Sequence, residues 1–232
     1  MSAYPIILNN LEAQRVLVVG GGAIATEKVI ALLDAGAGNV MVVSPQLTHA
    51  LAELAAENRI TWRARPYRPE DMEDAFLCIA ATQVPSVNRA VARDARKARV
   101  LINVVDDPDH CDFFSVSVIR RQGFTISIGT DGQMPALAAR LREQLSRGFG
   151  PEYGELIEIM RELRPTMPER FPDPNHRRRA WRALAQAPLI PALRRGVSKQ
   201  AIWRRIEQCL SDYSRHSAGR KHENHQQEAS LS

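Results

Sequence analysis

Cysteine is scarce in this chain of 232 residues: Cys78, Cys111 and Cys209 are scattered and odd in number. They form no CxxC pair and no disulfide framework, which excludes a cystine-stapled secreted scaffold and favours a reducing compartment. Long apolar runs are lacking too; none approaches the roughly 18 residues of a membrane-spanning helix. The opening MSAYPIILNNLEAQR has a short apolar patch with no basic segment ahead of it, so no secretory leader is expected. There is no internal repeat. The expectation is a cytoplasmic protein that does not engage a membrane. Apolar content of 44% and charged content of 25% are ordinary for a globular chain, and the length allows one large domain or two modest ones.

Charge is unevenly placed. The net charge is +5, yet from Arg161 to Arg205 there are 12 Arg or Lys against three acids, a net of +9. The rest of the chain is therefore net acidic. Such a block suits an anionic partner, although a solvated helical face explains it equally well.

The first hundred residues alternate between two textures. β-branched runs stand at Arg15–Gly20, Val40–Ser44, Ile60–Tyr67, Phe76–Thr82 and Val100–Val105. Alanine-rich stretches with helical spacing lie between them, at Ala23–Ala35, Thr48–Glu57 and Ser86–Ala98. This alternation predicts βαβ units and a parallel sheet covered on both faces. After Asp106 the texture changes. Asp112–Thr130 reads as two strands turning at Gln122–Gly123, and a helix follows with Pro135 in its first turn. Helices are expected at Glu155–Arg164, Arg177–Gln186 and Lys199–Tyr213, divided by prolines. The last residues, 214–232, are polar, lack apolar periodicity, and are expected to be a disordered tail.

The run VLVVGGGAIATEKV, Val16 to Val29, fits the G-x-G-x-x-G/A fingerprint through Gly20, Gly22 and Ala25. Gly20 permits a tight turn out of the strand. Gly22, without a Cβ, lets a pyrophosphate approach the backbone. Ala25 lets the helix pack closely on the sheet. The helix N-terminus offers free N–H groups and partial positive charge to phosphates. The acid that usually holds the ribose is absent; Ser44–Leu47 (SPQL) occupies its place. These residues leave NAD and NADP both open.

Asp106 ends the fifth run, where ligands of open α/β sheets bind. A carboxylate there can act as a base or hold a cationic group; a turn aspartate before Pro108 is the plainer reading. Asp106, Asp107, Asp109 and Asp112 lack the glycine and closing glutamate of a calcium loop. His110 and Cys111 make a poor tetrahedral set, so no resident metal is expected.

Together these segments resemble the precorrin-2 dehydrogenase / sirohydrochlorin ferrochelatase family, the N-terminal module of sirohaem synthases. The resemblance covers roughly residues 4 to 150 and is carried by YPIILNNLEAQRVLVVGGGAIATEKV, VVSPQL, IAATQVPSVN, INVVDDPDHCDFF and ISIGTDGQMPALAARLRE, in that order. It implies a Rossmann-type NAD-binding domain (1–108), a central dimerisation region (109–150) and a helical C-terminal domain (151–213). It further implies a homodimer, NAD as cofactor, and oxidation of precorrin-2 to sirohydrochlorin. Some members also insert ferrous iron, and a cobaltous ion is the corresponding alternative. By resemblance Asp106 is the catalytic proton acceptor. Gly20, Gly22, Ala23, Ile24, Ser44, Pro45, Gln46, Ala81, Thr82 and Asn103 hold the cofactor, and Thr130 and Gly132 the substrate. The basic segment has the right sign for a substrate rich in carboxylates, with Arg177, Arg178, Arg179 and Arg182 the first candidates.

The chain departs from the family at Val116, where Pro is usual, and at Gly129, Asp131 and Met134. No methyltransferase module follows the helical part, so the trifunctional enzyme is not expected. Two rivals stay open: a dinucleotide-sensing protein that has lost its chemistry, and a nucleic-acid binder using Trp181 and Trp203 among the arginines. The helical spacing of those tryptophans with Leu184 and Ile206 favours core packing over stacking on bases. His176 is a minor metal-handling candidate.

Overall fold

The computed structural model describes the backbone of residues 4–229 and the side chains of residues 4–215. Two compact units emerge: the chain up to Val116 together with Gly129–Pro135, and Ser117–Ile128 together with the chain from Ala136 onward.

The first unit is built on five parallel strands, β1 (Arg15–Val19), β2 (Asn39–Val43), β3 (Thr61–Arg63), β4 (Leu77–Ala80) and β5 (Leu101–Val104), in the order β3-β2-β1-β4-β5. Alternate residues of β1 serve opposite faces, as the period of two requires. Val16 and Val18 meet Ala25, Val29 and Leu32 of α1 (Ala23–Asp34) and Leu51 and Leu54 of α2 (His49–Ala56). Leu17 and Val19 meet Val91, Ala92 and Ala95 of α3 (Pro85–Ala98). Burial on both faces explains why the first, second and fifth apolar runs are continuous. The doubly covered Rossmann-type sheet expected from the sequence is thus present.

β3 is shorter than the eight-residue run Ile60–Tyr67 predicted. Pro66 has no N–H for a ladder, and the chain beyond Arg63 turns toward Asp71.

The second unit holds the antiparallel ribbon β6 (Ser117–Arg121) and β7 (Phe124–Ile128), turning at Gln122–Gly123 as expected. A two-stranded ribbon is marginal alone, and this one rests on α5 (Glu152–Leu163). A Cβ on Gly154 would lie 2.7 Å from the Arg121 carbonyl oxygen, so only glycine admits that approach. α4 (Pro135–Ser146) precedes α5; α6 (Met167–Arg170), α7 (Pro174–Gln186), α8 (Leu189–Arg194) and α9 (Lys199–Ala229) follow. Their core gathers Ile159, Leu163, Met167, Ala180, Leu184, Leu189, Ile202 and Ile206, with Trp181 and Trp203 packed half-buried against it. Packing therefore accounts for the tryptophans. α9 runs on through Ala229, well into the segment 214–232 for which disorder was expected; side chains from 216 onward lie outside the described residues. The stretch 109–150 is divided between the two units.

Candidate functional site

The three glycines after β1 do three different things. Gly20 has φ +126°, and a Cβ on it would sit 2.4 Å from the Ala81 carbonyl oxygen. A Cβ on Gly21 would sit 2.0 Å from the Gln46 carbonyl oxygen. Both positions are closed by the protein itself. Gly22 is exposed, and a Cβ there would meet nothing within 4 Å. It begins α1 with no side-chain cap, so the first N–H groups of that helix are left for another acceptor. The exposed ledge continues through Ala23 and Ile24. Tight backbone packing beneath and open space above an uncapped helix end make a cradle for a phosphate.

The turn is braced from the side. Thr48 N–H donates to the Gly21 carbonyl at 2.9 Å, and the Thr26 and Thr48 hydroxyls meet at 2.8 Å. Ser44 is buried, with its Oγ only 2.8 Å from where a Gly21 Cβ would lie, whereas Pro45 and Gln46 are exposed. Across the turn, Ala81 and Thr82 follow β4. Buried Asn88 accepts from the Thr82 hydroxyl at 2.7 Å and from its N–H at 3.2 Å, and donates to its carbonyl at 3.0 Å. Asn88 therefore fixes the β4–α3 loop.

β5 ends at the same carboxyl edge of the sheet, one strand beyond β4. Asp106 is exposed and holds φ +59°, a left-handed conformation that aspartate tolerates better than most residues. Its neighbours shape the loop. Asn103 is buried and donates to the Phe113 carbonyl at 2.9 Å. Cys111 Sγ lies 3.2 Å from both the amide and the carbonyl of Val104; burial pushes this thiol up. Asp112 accepts from the Ile102 N–H at 3.2 Å, and His110 Nδ1 pairs with Asp107 at 2.8 Å. Asp107 and Asp112 are thus engaged, whereas the carboxylates of Asp106, at the strand end, and Asp109, in the turn beyond, are exposed. Among the described residues no three His, Cys, Asp or Glu side chains gather as a metal cluster.

In the same unit, Thr130 Oγ1 accepts from Met134 N–H at 3.2 Å at the entry to α4. Gly132, at φ +74°, lies under the Phe114 ring; a Cβ would come within 3.0 Å of it. Asp131 between them is exposed at φ +49°.

At the rim of the sheet, Asp71 is fully buried between two cations. Arg63 donates to it at 2.7 Å, and Arg65 donates twice, at 2.6 and 2.8 Å. Burial would push this carboxyl up, but bonds from Arg65, the Arg68 amide and Arg63 outweigh it and bring it down to about 2. Arg63 is also bonded through its carbonyl to Ser44 N–H.

In the helical unit, much of the positive block is spent internally. Arg170 pairs with Glu207, Lys199 with Glu162, Arg161 with Glu158, and Arg194 with Glu152. Arg177 donates to the Phe171 and Pro172 carbonyls. Arg178, Arg179 and Arg182 are exposed. His176 lies at the start of α7, its amide capped by Asp173 at 2.7 Å. A cavity of about 660 Å³ lies between α5 and α7, with Arg161, Arg164, Arg177 and Trp181 in its wall. Of the four arginines singled out from sequence, Arg177 alone lines it.

Sequence reasoning missed Gly21, the bracing threonines, the Asp71 cluster, and Arg161 and Arg164. The third glycine in VVGGGA was the one local signal among these.

The family of NAD(P)-binding domains matches residues 7–117, and the sirohaem synthase dimerisation region matches residues 152–206. A sirohaem synthase of Neisseria meningitidis serogroup C (strain 053442) is 37% identical over 211 residues, covering 90% of this chain and 44% of the relative. One from N. meningitidis serogroup B (strain MC58) is 41% identical over 181 residues, 78% of this chain and 37% of the relative. One from Chromobacterium violaceum is 37% identical over 196 residues, 84% and 41%. The chain thus spans less than half the length of these relatives. Among solved structures, SirC, a precorrin-2 dehydrogenase, superposes with a TM-score of 0.70 at 23% identity, over 89% of this chain and 100% of that one; this likeness shows the shared fold.

Proposed function

The chain belongs to the family that forms the dinucleotide-binding and dimerisation regions of sirohaem synthases, and from that premise we propose that it oxidises precorrin-2 to sirohydrochlorin with NAD. The observation that carries the proposal is the open backbone ledge at Gly22, on an uncapped α1, sharing the sheet's carboxyl edge with Asp106. A dinucleotide fits this cradle because the clash positions, Gly20 and Gly21, are already relieved and the contact position, Gly22, is free.

Bound NAD supplies the hydride acceptor. Gly22, Ala23 and Ile24 hold its pyrophosphate through backbone N–H groups, while Gly20, whose own N–H is donated to the Val43 carbonyl, shapes the turn beneath them. Ser44, Pro45 and Gln46 border the ribose, and Ala81, Thr82 and Asn103 frame the opposite wall. Oxidation removes two electrons and two protons from the substrate. One proton leaves with the electron pair as hydride; the Asp106 carboxylate receives the other. Thr130 and Gly132 shape the loop that borders the substrate. The absence of an acid at Ser44 leaves a 2′-phosphate unrepelled, but Arg63, at the end of β3, and Arg65, just beyond it, are both occupied by Asp71. That supports NAD over NADP. A homodimer through the matched dimerisation region completes the proposal.

The test is an absorbance assay of precorrin-2 turnover with NAD and, separately, NADP, on wild type and Asp106→Asn. The proposal expects turnover with NAD, at least tenfold better kcat/KM than with NADP, and loss of oxidation with retained dinucleotide binding in the variant. Turnover at the wild-type rate in Asp106→Asn would remove the role given to that carboxylate. Addition of ferrous or cobaltous ion to the product then asks whether metal insertion follows.

A further inference from the structure

The cavity between α5 and α7 lies wholly within the helical unit, and the glycine ledge has no part in it. Its volume of about 660 Å³ falls in the range of small-molecule sites, roughly 300–1,000 Å³. Its wall joins two kinds of chemistry. Trp181, Met160 and Ile157 offer an indole, a thioether and a branched aliphatic surface; Arg161, Arg164 and Arg177 offer three guanidinium groups.

The three arginines differ in freedom. Arg177 is anchored by its bonds to the Phe171 and Pro172 carbonyls, which fixes its fork in place without neutralising its charge. Arg161 is forked onto Glu158 at 2.8 Å and lies over the hairpin turn, where a Cβ on Gly123 would come 3.0 Å from its Nη2. The Arg164 guanidinium, exposed, donates to no acceptor and pairs with no acid among the described residues. One free and one anchored guanidinium beside an indole form an arrangement that binds carboxylates on a flat ring: bidentate pairing at the rim, ring contact within. A second copy of the chain is a poorer occupant, because symmetric docking would bring the same arginines toward each other.

We propose that this cavity is a carboxylate-and-ring subsite: Arg164 and Arg177 hold carboxylates of a polycarboxylate macrocycle, and Trp181 lines the ring edge. The macrocycle's identity as a tetrapyrrole rests on the function proposed above; the subsite's preference for a flat polyanion does not.

The experiment titrates uroporphyrin, an octacarboxylate tetrapyrrole, into the full-length chain while tryptophan fluorescence is followed. Wild type is expected to bind with quenching that weakens as salt rises. Arg164→Gln should weaken binding about tenfold or more and Arg164→Lys less, since lysine keeps charge but not the fork. Trp181→Phe should keep affinity within about threefold and lose most of the quenching. Arg205→Gln, an exposed charge on α9 outside the wall, is the charge-matched control and should change little. Because Arg164 is exposed and unpaired, its replacement should leave the circular dichroism and melting of the chain unchanged. Equal weakening by Arg164→Gln and Arg205→Gln, or none by either, overturns the subsite in favour of diffuse surface charge. A change of dimer mass in Arg164→Gln with unaltered porphyrin binding overturns it in favour of a chain–chain contact. Failure of this proposal is distinguishable from failure of the function. If wild type oxidises precorrin-2 but binds uroporphyrin no better than Arg164→Gln does, the subsite falls and the enzyme stands. If wild type binds uroporphyrin through Arg164 yet never oxidises precorrin-2, the reverse holds.

Discussion

The ledge at the end of β1 and the cavity between α5 and α7 both present positive character, and they do so by opposite means. At the ledge it comes from backbone: N–H groups of an uncapped helix, exposed because Gly22 has no side chain. In the cavity it comes from long side chains on α5, α7 and the short turn between α5 and α6. A backbone site is intolerant of any added atom but indifferent to charge substitution nearby. A side-chain site tolerates substitution structurally and loses function one charge at a time. The two should therefore fail differently under mutation.

The largest effect is expected where the edge beside the ledge carries a reacting group. Asp106→Asn keeps a residue that accepts the left-handed backbone, so the loop should persist while oxidation falls by roughly 10²–10⁴. Stopped-time absorbance reads the loss, and dinucleotide titration should show an unchanged Kd.

Next come the glycines, which sharpen the contrast within three residues. Gly21→Ala forces a Cβ to within 2.0 Å of the Gln46 carbonyl oxygen and should lower stability by about 1–3 kcal/mol or more, read as a drop in Tm. Gly22→Ala meets no protein atom, so its Tm should match wild type while dinucleotide binding weakens about tenfold. Equal Tm values for the two variants would break the distinction between protein-facing and ligand-facing glycines.

Asp71 gives a smaller, pH-dependent effect. Its carboxyl is brought down to about 2 in the folded chain, from the ordinary value near 3.9 when unfolded. The unfolded state therefore binds the proton first as pH falls. The stabilisation is complete above about pH 4 and is lost progressively down to about pH 2. Wild type should lose Tm between about pH 4 and pH 2, with Asp71→Asn already lower at pH 5 and flatter below it. The same variant frees Arg63 and Arg65 and should raise the NADP-to-NAD ratio of kcat/KM a few-fold.

The smallest change is expected at Asp131, left-handed at φ +49°. Asp131→Gly removes that steric cost but adds unfolded-state entropy, leaving stability within about 1 kcal/mol. Loss of a negative charge beside Thr130 and Gly132 should lower the KM for a polyanionic substrate about twofold.

The parallel sheet was legible because its evidence is local: continuous β-branched runs, alanine-rich helices between them, and a glycine fingerprint at the first crossover. The end of β3 was only half legible: Pro66, which has no N–H for a ladder, stands inside the run, but the pairing of Arg63 and Arg65 with Asp71 is tertiary. Gly21 was passed over for a similar reason; the atom that forbids a side chain there belongs to Gln46, far along the chain. The prolines of the second half were expected to separate helices, and several start them instead: Pro174 opens α7 behind the Asp173 cap, and Pro188 precedes α8. The positive block was visible as a count. Which of its charges are spent on Glu152, Glu158, Glu162 and Glu207 is a matter of tertiary pairing that composition does not carry.

The chain passes between its two units at Val116–Ser117, Ile128–Gly129 and Pro135–Ala136. Anyone wishing to express either half alone has no single place to cut. A truncation after the parallel sheet discards the ribbon that α5 supports, and one before α5 leaves that ribbon as an unsupported flap on the remaining fragment. Added modules are best fused at the chain ends, and a protease nick between the ribbon and α4 would leave two pieces that still belong to both halves.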